Sequence, residues 1–189
     1  MKLICAEYNK RGDVAYSVVG DNALLRNNDD FYIPDFAGHL TAEPHLVLRV
    51  SKIGKSVGER FAGRYYEEVG VGIRFHAEDL ENSLLDKGLS PAMASAFDGS
   101  AAISPLVSRE GSVEDWCLVF RKNEEVLYSG RVEDLPLSPE QQIAAMSRYY
   151  MLKIGDFIYC GGLPRFVVQP GDRLRLSLAD RELLDFGVK

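Results

Sequence analysis

Apolar residues in this chain recur mostly at strand spacing, and that limits the available folds before anything else is considered. Residues 3–6 read as a first strand, and residues 45–53 as a β-rich run that stops at Gly54. Residues 69–76 form another, in which Gly70 and Gly72 permit close backbone approach. Residues 117–121 and 125–128, joined by Lys122-Asn123-Glu124, read as a hairpin. Residues 156–160 and 173–178 complete the set, and the clean alternation of the last leaves one face to solvent. Helical signals are fewer. Ser138 as N-cap, Pro139 at the first helical position and Gln141 three residues after the cap predict a helix start. Ile143, Met146, Tyr149 and Tyr150 follow as an apolar stripe toward the core. A second helix is expected over 78–86, ending at Gly88, and a third over 59–67. No repeat, linker or low-complexity segment interrupts residues 1–189, so one domain is expected.

Charge narrows the function classes. The chain has 189 residues, 22 basic against 28 acidic, for a net charge of −6. An acidic balance without any run of four basic residues argues against a nucleic-acid or anionic-membrane binder. No stretch of about 18 residues is free of charge, so no transmembrane helix is expected. The N-terminal apolar run reaches Glu7 before it attains signal length. Cys5, Cys117 and Cys160 are odd in number, form no C-x-x-C pair and sit in apolar runs, which fits buried free thiols in a reducing cytoplasm.

A series of motifs, kept in order along nearly the whole chain, carries a resemblance. Residues 2–9 end in Tyr8-Asn9; Tyr32-Ile33-Pro34-Asp35-Phe36 follows, then Glu43-Pro44-His45 leading into the 45–53 strand. Next come Gly72-Ile73-Arg74-Phe75-His76-Ala77-Glu78-Asp79-Leu80, Phe97-Asp98-Gly99-Ser100, and the Gly-Asp pairs Gly155-Asp156 and Gly171-Asp172. Each is weak alone, but the ordered set resembles the fumarylacetoacetate hydrolase family. The resemblance implies an α+β, mainly β fold, a mixed β-roll or sandwich with a few short helices. It also implies enzymes of 2-oxo or 1,3-dioxo acids. These bind a divalent cation through Glu-x-Glu on one strand and Asp on the next, and the cation stabilises an enolate. A Lys holds developing negative charge, and hydrolytic members carry a His/Glu pair near the N-terminus.

Against that pattern the departures fall on the chemistry. Of the three ligand positions Glu43 alone keeps its carboxylate; the second is His45 and the third is Arg74, a permanent cation that ligates no metal. Glu43 and His45, two apart on a strand, share a face. Arg74 is expected to pair with Glu43 where the cation would sit. The family's Asp and following Arg become Arg74 and Glu78, a reversal of both signs. His76 replaces a small hydroxyl residue, and it is read as filling the pocket, facing solvent or serving as an acid–base group. The family's Lys becomes Ser95. The segment after Asn9 has no His/Glu pair and is shorter than in the family, so the substrate-covering lid is expected to be missing, and the late Thr-Gly-Thr-Pro-type loop becomes 160–165, ending in Arg165.

The expected ligand pocket therefore comprises Tyr8, Asn9, Glu43, His45, Arg74, His76, Ser95 and Arg165, with Lys52 as a further cation. The leading expectation is a relative with little of the parent activity and no cofactor, binding a small carboxylate. One alternative is an enzyme with an altered site, in which His45 and His76 are the acid–base candidates. In it Glu43 and His45 hold Mg²⁺, Mn²⁺ or Zn²⁺ weakly, or no metal at all. Another is a subunit supporting an active paralogue. The resemblance implies a homodimer; residues 149–151 and 166–168 are candidates for that face or for the core.

Overall fold

The computed structural model describes residues 1–109 and 111–189. In chain order the strands are β1 (Lys2–Tyr8), β2 (Val14–Gly20), β3 (Leu24–Leu25), β4 (Leu40–Val50), β5 (Tyr66–Ala77), β6 (Ala101–Ile103), β7 (Val107–Ser108), β8 (Cys117–Lys122), β9 (Glu125–Arg131), β10 (Phe157–Cys160), β11 (Phe166–Val168), β12 (Arg173–Leu178) and β13 (Arg181–Gly187). Three α-helices, α1 (Glu59–Ala62), α2 (Glu78–Asp86) and α3 (Pro139–Tyr149), and short 3₁₀ turns complete the described residues. The fold is mostly β and mixed, as the resemblance implies. A nine-stranded sheet runs β2-β1-β10-β4-β5-β6-β3, with β11 added to β4 and β7 to β5. The β1–β10 and β3–β6 pairs are parallel and the other pairs antiparallel. A second sheet runs β13-β12-β8-β9.

Alternation along the central strands divides the large sheet into two faces. Ile4 and Ala6 of β1, Leu46 and Leu48 of β4, and Ile73 and Phe75 of β5 share one apolar cluster with Phe120, Leu176 and Phe186 of the small sheet and Ile143 and Met146 of α3. Phe75 stacks on Phe31 with ring centroids 3.8 Å apart. The opposite face carries Leu3, Cys5, Val47 and Tyr159 as a smaller cluster, and the chemistry lies beside it.

The helix start at Ser138 forms as expected. Ser138 Oγ accepts from the Gln141 amide (3.2 Å), and Gln141 Oε1 accepts from the Ser138 amide (3.0 Å). The helix over 59–67 shrinks to four residues, because Gly63 follows and β5 claims the chain from Tyr66. The Gly-Asp pairs are turns: Asp156 accepts from the Lys153 amide (2.8 Å), and Asp172 from the Gln169 amide (2.9 Å). Cys5 and Cys160 are buried free thiols, whereas Cys117 is only partly covered. Tyr149 and Met151 are exposed, and Phe166–Val168 is a strand along the first half of β4. No helix among the described residues is long and apolar enough to cross a membrane.

Gly72 shows how closely β5 is packed. A Cβ there would lie 2.6 Å from Cε1 of Tyr159 and 2.8 Å from the Ala102 carbonyl oxygen. The second contact is backbone and cannot swing aside. Gly72→Ala should therefore destabilise the fold by about 1–3 kcal/mol, the usual cost of overpacking, read as a lower urea midpoint. An unchanged midpoint would show that the sheet has room to spare.

Candidate functional site

β4 and β5 run antiparallel in a register that sets Thr41 opposite His76, Glu43 opposite Arg74 and His45 opposite Gly72. Glu43, His45, Arg74 and His76 consequently share one face, and all four are buried. The Glu43 carboxylate has three basic neighbours: His76 Nε2 at 3.3 Å, Arg165 Nε at 3.6 Å and His45 Nε2 at 3.8 Å. Arg165 enters from the loop after β10 and also gives Nη1 to Glu81 of α2 at 2.9 Å. That loop passes close over the site, since a Cβ on Gly161 would collide with the Ala6 carbonyl and reach within 3.4 Å of Glu43 Oε1.

The expected Arg74–Glu43 ion pair does not form. Arg74 lies directly across the ladder, but its long side chain runs on and donates Nη2 to the Ser95 carbonyl (2.7 Å), leaving Nε without a partner. Burial opposes its charge, yet its pKa is raised; Glu7 and Glu43 are the anionic neighbours that favour the charged form, while burial keeps the Cys5 thiol and Tyr159 phenol protonated. Glu78, expected to balance Arg74, instead accepts from Thr41 Oγ1 (3.0 Å) and lies 3.2 Å from His39 Nδ1.

A cavity of about 230 Å³ opens beside this cluster, with His76, Arg165, Glu81, Ser95 and Glu7 on its wall. Of the expected pocket residues, Arg165, His76 and Ser95 line it, and Glu43 lies one layer behind. His45 is deeper still, edge-on to Tyr159 at 5.5 Å, with both ring nitrogens unpartnered. Tyr8 and Asn9 do not belong to the site. Tyr8 points to the other face of β1, where its hydroxyl accepts from Gln142 Nε2 of α3 (2.9 Å). Asn9 organises the exposed β1–β2 turn, its Oδ1 accepting from the Arg11 (2.8 Å) and Asp13 (3.0 Å) amides. Lys52 lies past the far end of β4, whose last residue, Val50, is roughly 23 Å along the strand from Glu43 at the usual rise per residue. The residue missed on β1 is Glu7, which alternation from Leu3 and Cys5 places on the site face; it accepts from Ser17 Oγ at 2.5 Å. Glu81 was also missed, three residues after Glu78 on α2.

The residue pattern and this fold define one family. The fumarylacetoacetate (FAA) hydrolase C-terminal family matches residues 8–187, and the chain belongs to it. It is 29% identical over 147 residues to a fumarylpyruvate hydrolase of Ralstonia sp, spanning 77% of each chain. It is 24% identical over 168 residues to the oxaloacetate tautomerase YcgM of Escherichia coli (strain K12), covering 86% of this chain and 76% of that one. Among solved structures, the fumarylpyruvate hydrolase from Pseudomonas aeruginosa in complex with Mn²⁺ and pyruvate superposes with a TM-score of 0.91 at 20% identity, covering 100% of this chain and 89% of that one. The 2-hydroxyhepta-2,4-diene-1,7-dioate isomerase from Mycobacterium marinum gives 0.88 at 18% identity, covering 99% and 73%.

The residues present here do not fit a hard divalent cation. Mg²⁺ and Mn²⁺ favour several oxygen ligands, and positions 43, 45 and 74 offer one carboxylate, one imidazole and one guanidinium. The single carboxylate already faces Arg165. Among the described residues no group of three or more His, Cys, Asp and Glu side chains is placed to hold a metal ion.

Both imidazoles are held neutral. Burial drives the His45 pKa down to about 4 and outweighs the favourable Glu43 charge; burial, then Arg165 and Arg74, drive that of His76 well below the usual histidine range. The ordinary value is 6.5. Below it the unfolded chain takes up protons that the fold refuses, so stability falls with pH until about 4 and is unaffected by His45 above 6.5. His45 alone should account for about 2 kcal/mol of loss between its ordinary value and pH ~5. In urea titrations across this range, His45→Gln should flatten the decline by that amount. Parallel curves for variant and wild type would place a protonated imidazole in the fold.

Proposed function

We propose that this chain binds a small monocarboxylate, such as a 2-oxo acid, in the cavity beside Arg165 and His76, and has lost the parent metal-dependent chemistry. The observation that carries this reading is the buried Arg74 across the ladder from Glu43, at the position where the family resemblance calls for an acidic metal ligand. With it and His45, the enolate-stabilising cation loses two of its three carboxylate ligands, and the family's Lys position is Ser95. Each such element supplies several kcal/mol of barrier lowering, and about 1.4 kcal/mol is tenfold in rate.

Binding has better support. Arg165 offers a guanidinium at the cavity wall, and the His76 side chain lines the same wall. Glu7 and Glu81 on the same wall repel a second negative charge, which favours a monocarboxylate over a dicarboxylate. Pyruvate, seen with the Pseudomonas aeruginosa relative, is the natural probe. A second reading, an acid–base enzyme of 2-oxo acids, draws on the neutral His76 standing 3.3 Å from Glu43.

Calorimetry with pyruvate should show binding that EDTA leaves unchanged, about tenfold weaker in Arg165→Gln, and weaker still for oxaloacetate. Oxaloacetate should show no protein-dependent turnover. Binding that requires Mn²⁺ or Zn²⁺ would overturn the metal-free reading, and EDTA-resistant turnover lost in His76→Gln would favour the acid–base enzyme.

A further inference from the structure

The segment joining β4 to β5 contains a charge pattern unlike the rest of this acidic chain. Lys52, Lys55, Arg60 and Arg64 fall within thirteen residues and line one cavity of about 560 Å³, with no acidic side chain on its wall. Many cations elsewhere pair with carboxylates, whereas none of these four does so among the described residues. The nearby acids are directed elsewhere: Glu59 lines the adjoining cavity over α3, and Glu68 pairs with Arg49 at 2.7 Å.

Three of the four cations are held by the protein. Lys55 Nζ donates to the carbonyls of Arg148 (3.1 Å) and Tyr149 (2.7 Å), which fixes it at the C-terminal end of α3. The guanidinium groups of Arg60 and Arg64 lie over the Phe61 ring, 4.5 and 5.5 Å from its centroid. Stacking on an aromatic face orients a guanidinium while leaving its N–H edge free. Fixed, mutually repelling cations without counter-charges favour a ligand that brings several negative charges at short spacing.

We propose that this cavity is a binding site for an oligophosphate, a ligand with two or more linked phosphoryl groups, separate from the carboxylate cavity at the other end of β4. A lone carboxylate meets only one or two of the four cations. A chain of phosphoryl groups spans them, with Lys55 as the fixed point and the two stacked guanidinium groups as bidentate partners.

The test is calorimetry at low salt with inorganic tripolyphosphate, ATP and orthophosphate. It compares the wild type, Lys52→Glu/Arg64→Glu, and the charge-matched control Lys10→Glu/Arg11→Glu in the exposed β1–β2 turn. Tripolyphosphate should bind at least about tenfold more tightly than orthophosphate, and Lys52→Glu/Arg64→Glu should lose about tenfold or more while the control stays near wild type. ATP binding like tripolyphosphate assigns the site to the phosphates alone, and tighter ATP binding assigns it to a nucleotide; both support the proposal. Equal losses in both double variants would reduce the effect to net charge and overturn it. No binding by the wild type, or an RNA oligonucleotide binding far more tightly through the same residues, would overturn it as well. Circular dichroism and pyruvate binding confirm that the double variants remain folded.

Discussion

A carboxylate buried in a β-sheet must be compensated from within, and the surroundings of Glu43 follow from that requirement. Its charge is met by Arg165 from the loop after β10, with the neutral His76 ring 3.3 Å away on the neighbouring strand. Arg165 is in turn shared with Glu81, which ties that loop to α2. The loop can lie so close because glycine stands at 161, where any side chain would strike β1. Arg74 is compensated mainly through the Ser95 carbonyl and the Glu7 carboxylate of β1, with Glu43 as a further anionic neighbour.

On the proposed reading, this arrangement lets the family fold persist with a different site. The strands, their register and the shared face are those that would converge three carboxylates on a cation. With His45 and Arg74 in two of those places, one carboxylate remains, and Arg165 from a neighbouring loop balances it. Deep burial keeps both imidazoles uncharged, so the cluster is Glu43 balanced by arginine, with neutral rings packed around it. What faces the cavity is a polar wall of mixed sign.

Much of the fold was legible because strand alternation and capping are local. The β4 and β5 runs, the hairpin at 122–124 and the Ser138 cap all follow from residue types at short spacing. The same alternation identifies Glu43 with His45, and Arg74 with His76, as sharing faces. It would also have selected Glu7 over Tyr8, had the motif at 8–9 been read by strand parity. The Arg74 contact was not legible, since register places its Cα and the length of its side chain decides where the charge goes. Lys52 is close to β4 in sequence, but the strand's length carries it to the end opposite Glu43. β2 and β13 went unread because their short, interrupted apolar patterns become strands only once partners flank them.

On the proposed reading, residues 45 and 74 remove the metal site from an otherwise retained scaffold. Manganese binding followed by electron paramagnetic resonance tests it directly, comparing wild type with His45→Glu/Arg74→Asp, which restores Glu-x-Glu and Asp. The account predicts no specific Mn²⁺ signal in the wild type and stoichiometric binding in the double variant. Tight Mn²⁺ binding by the wild type would contradict it.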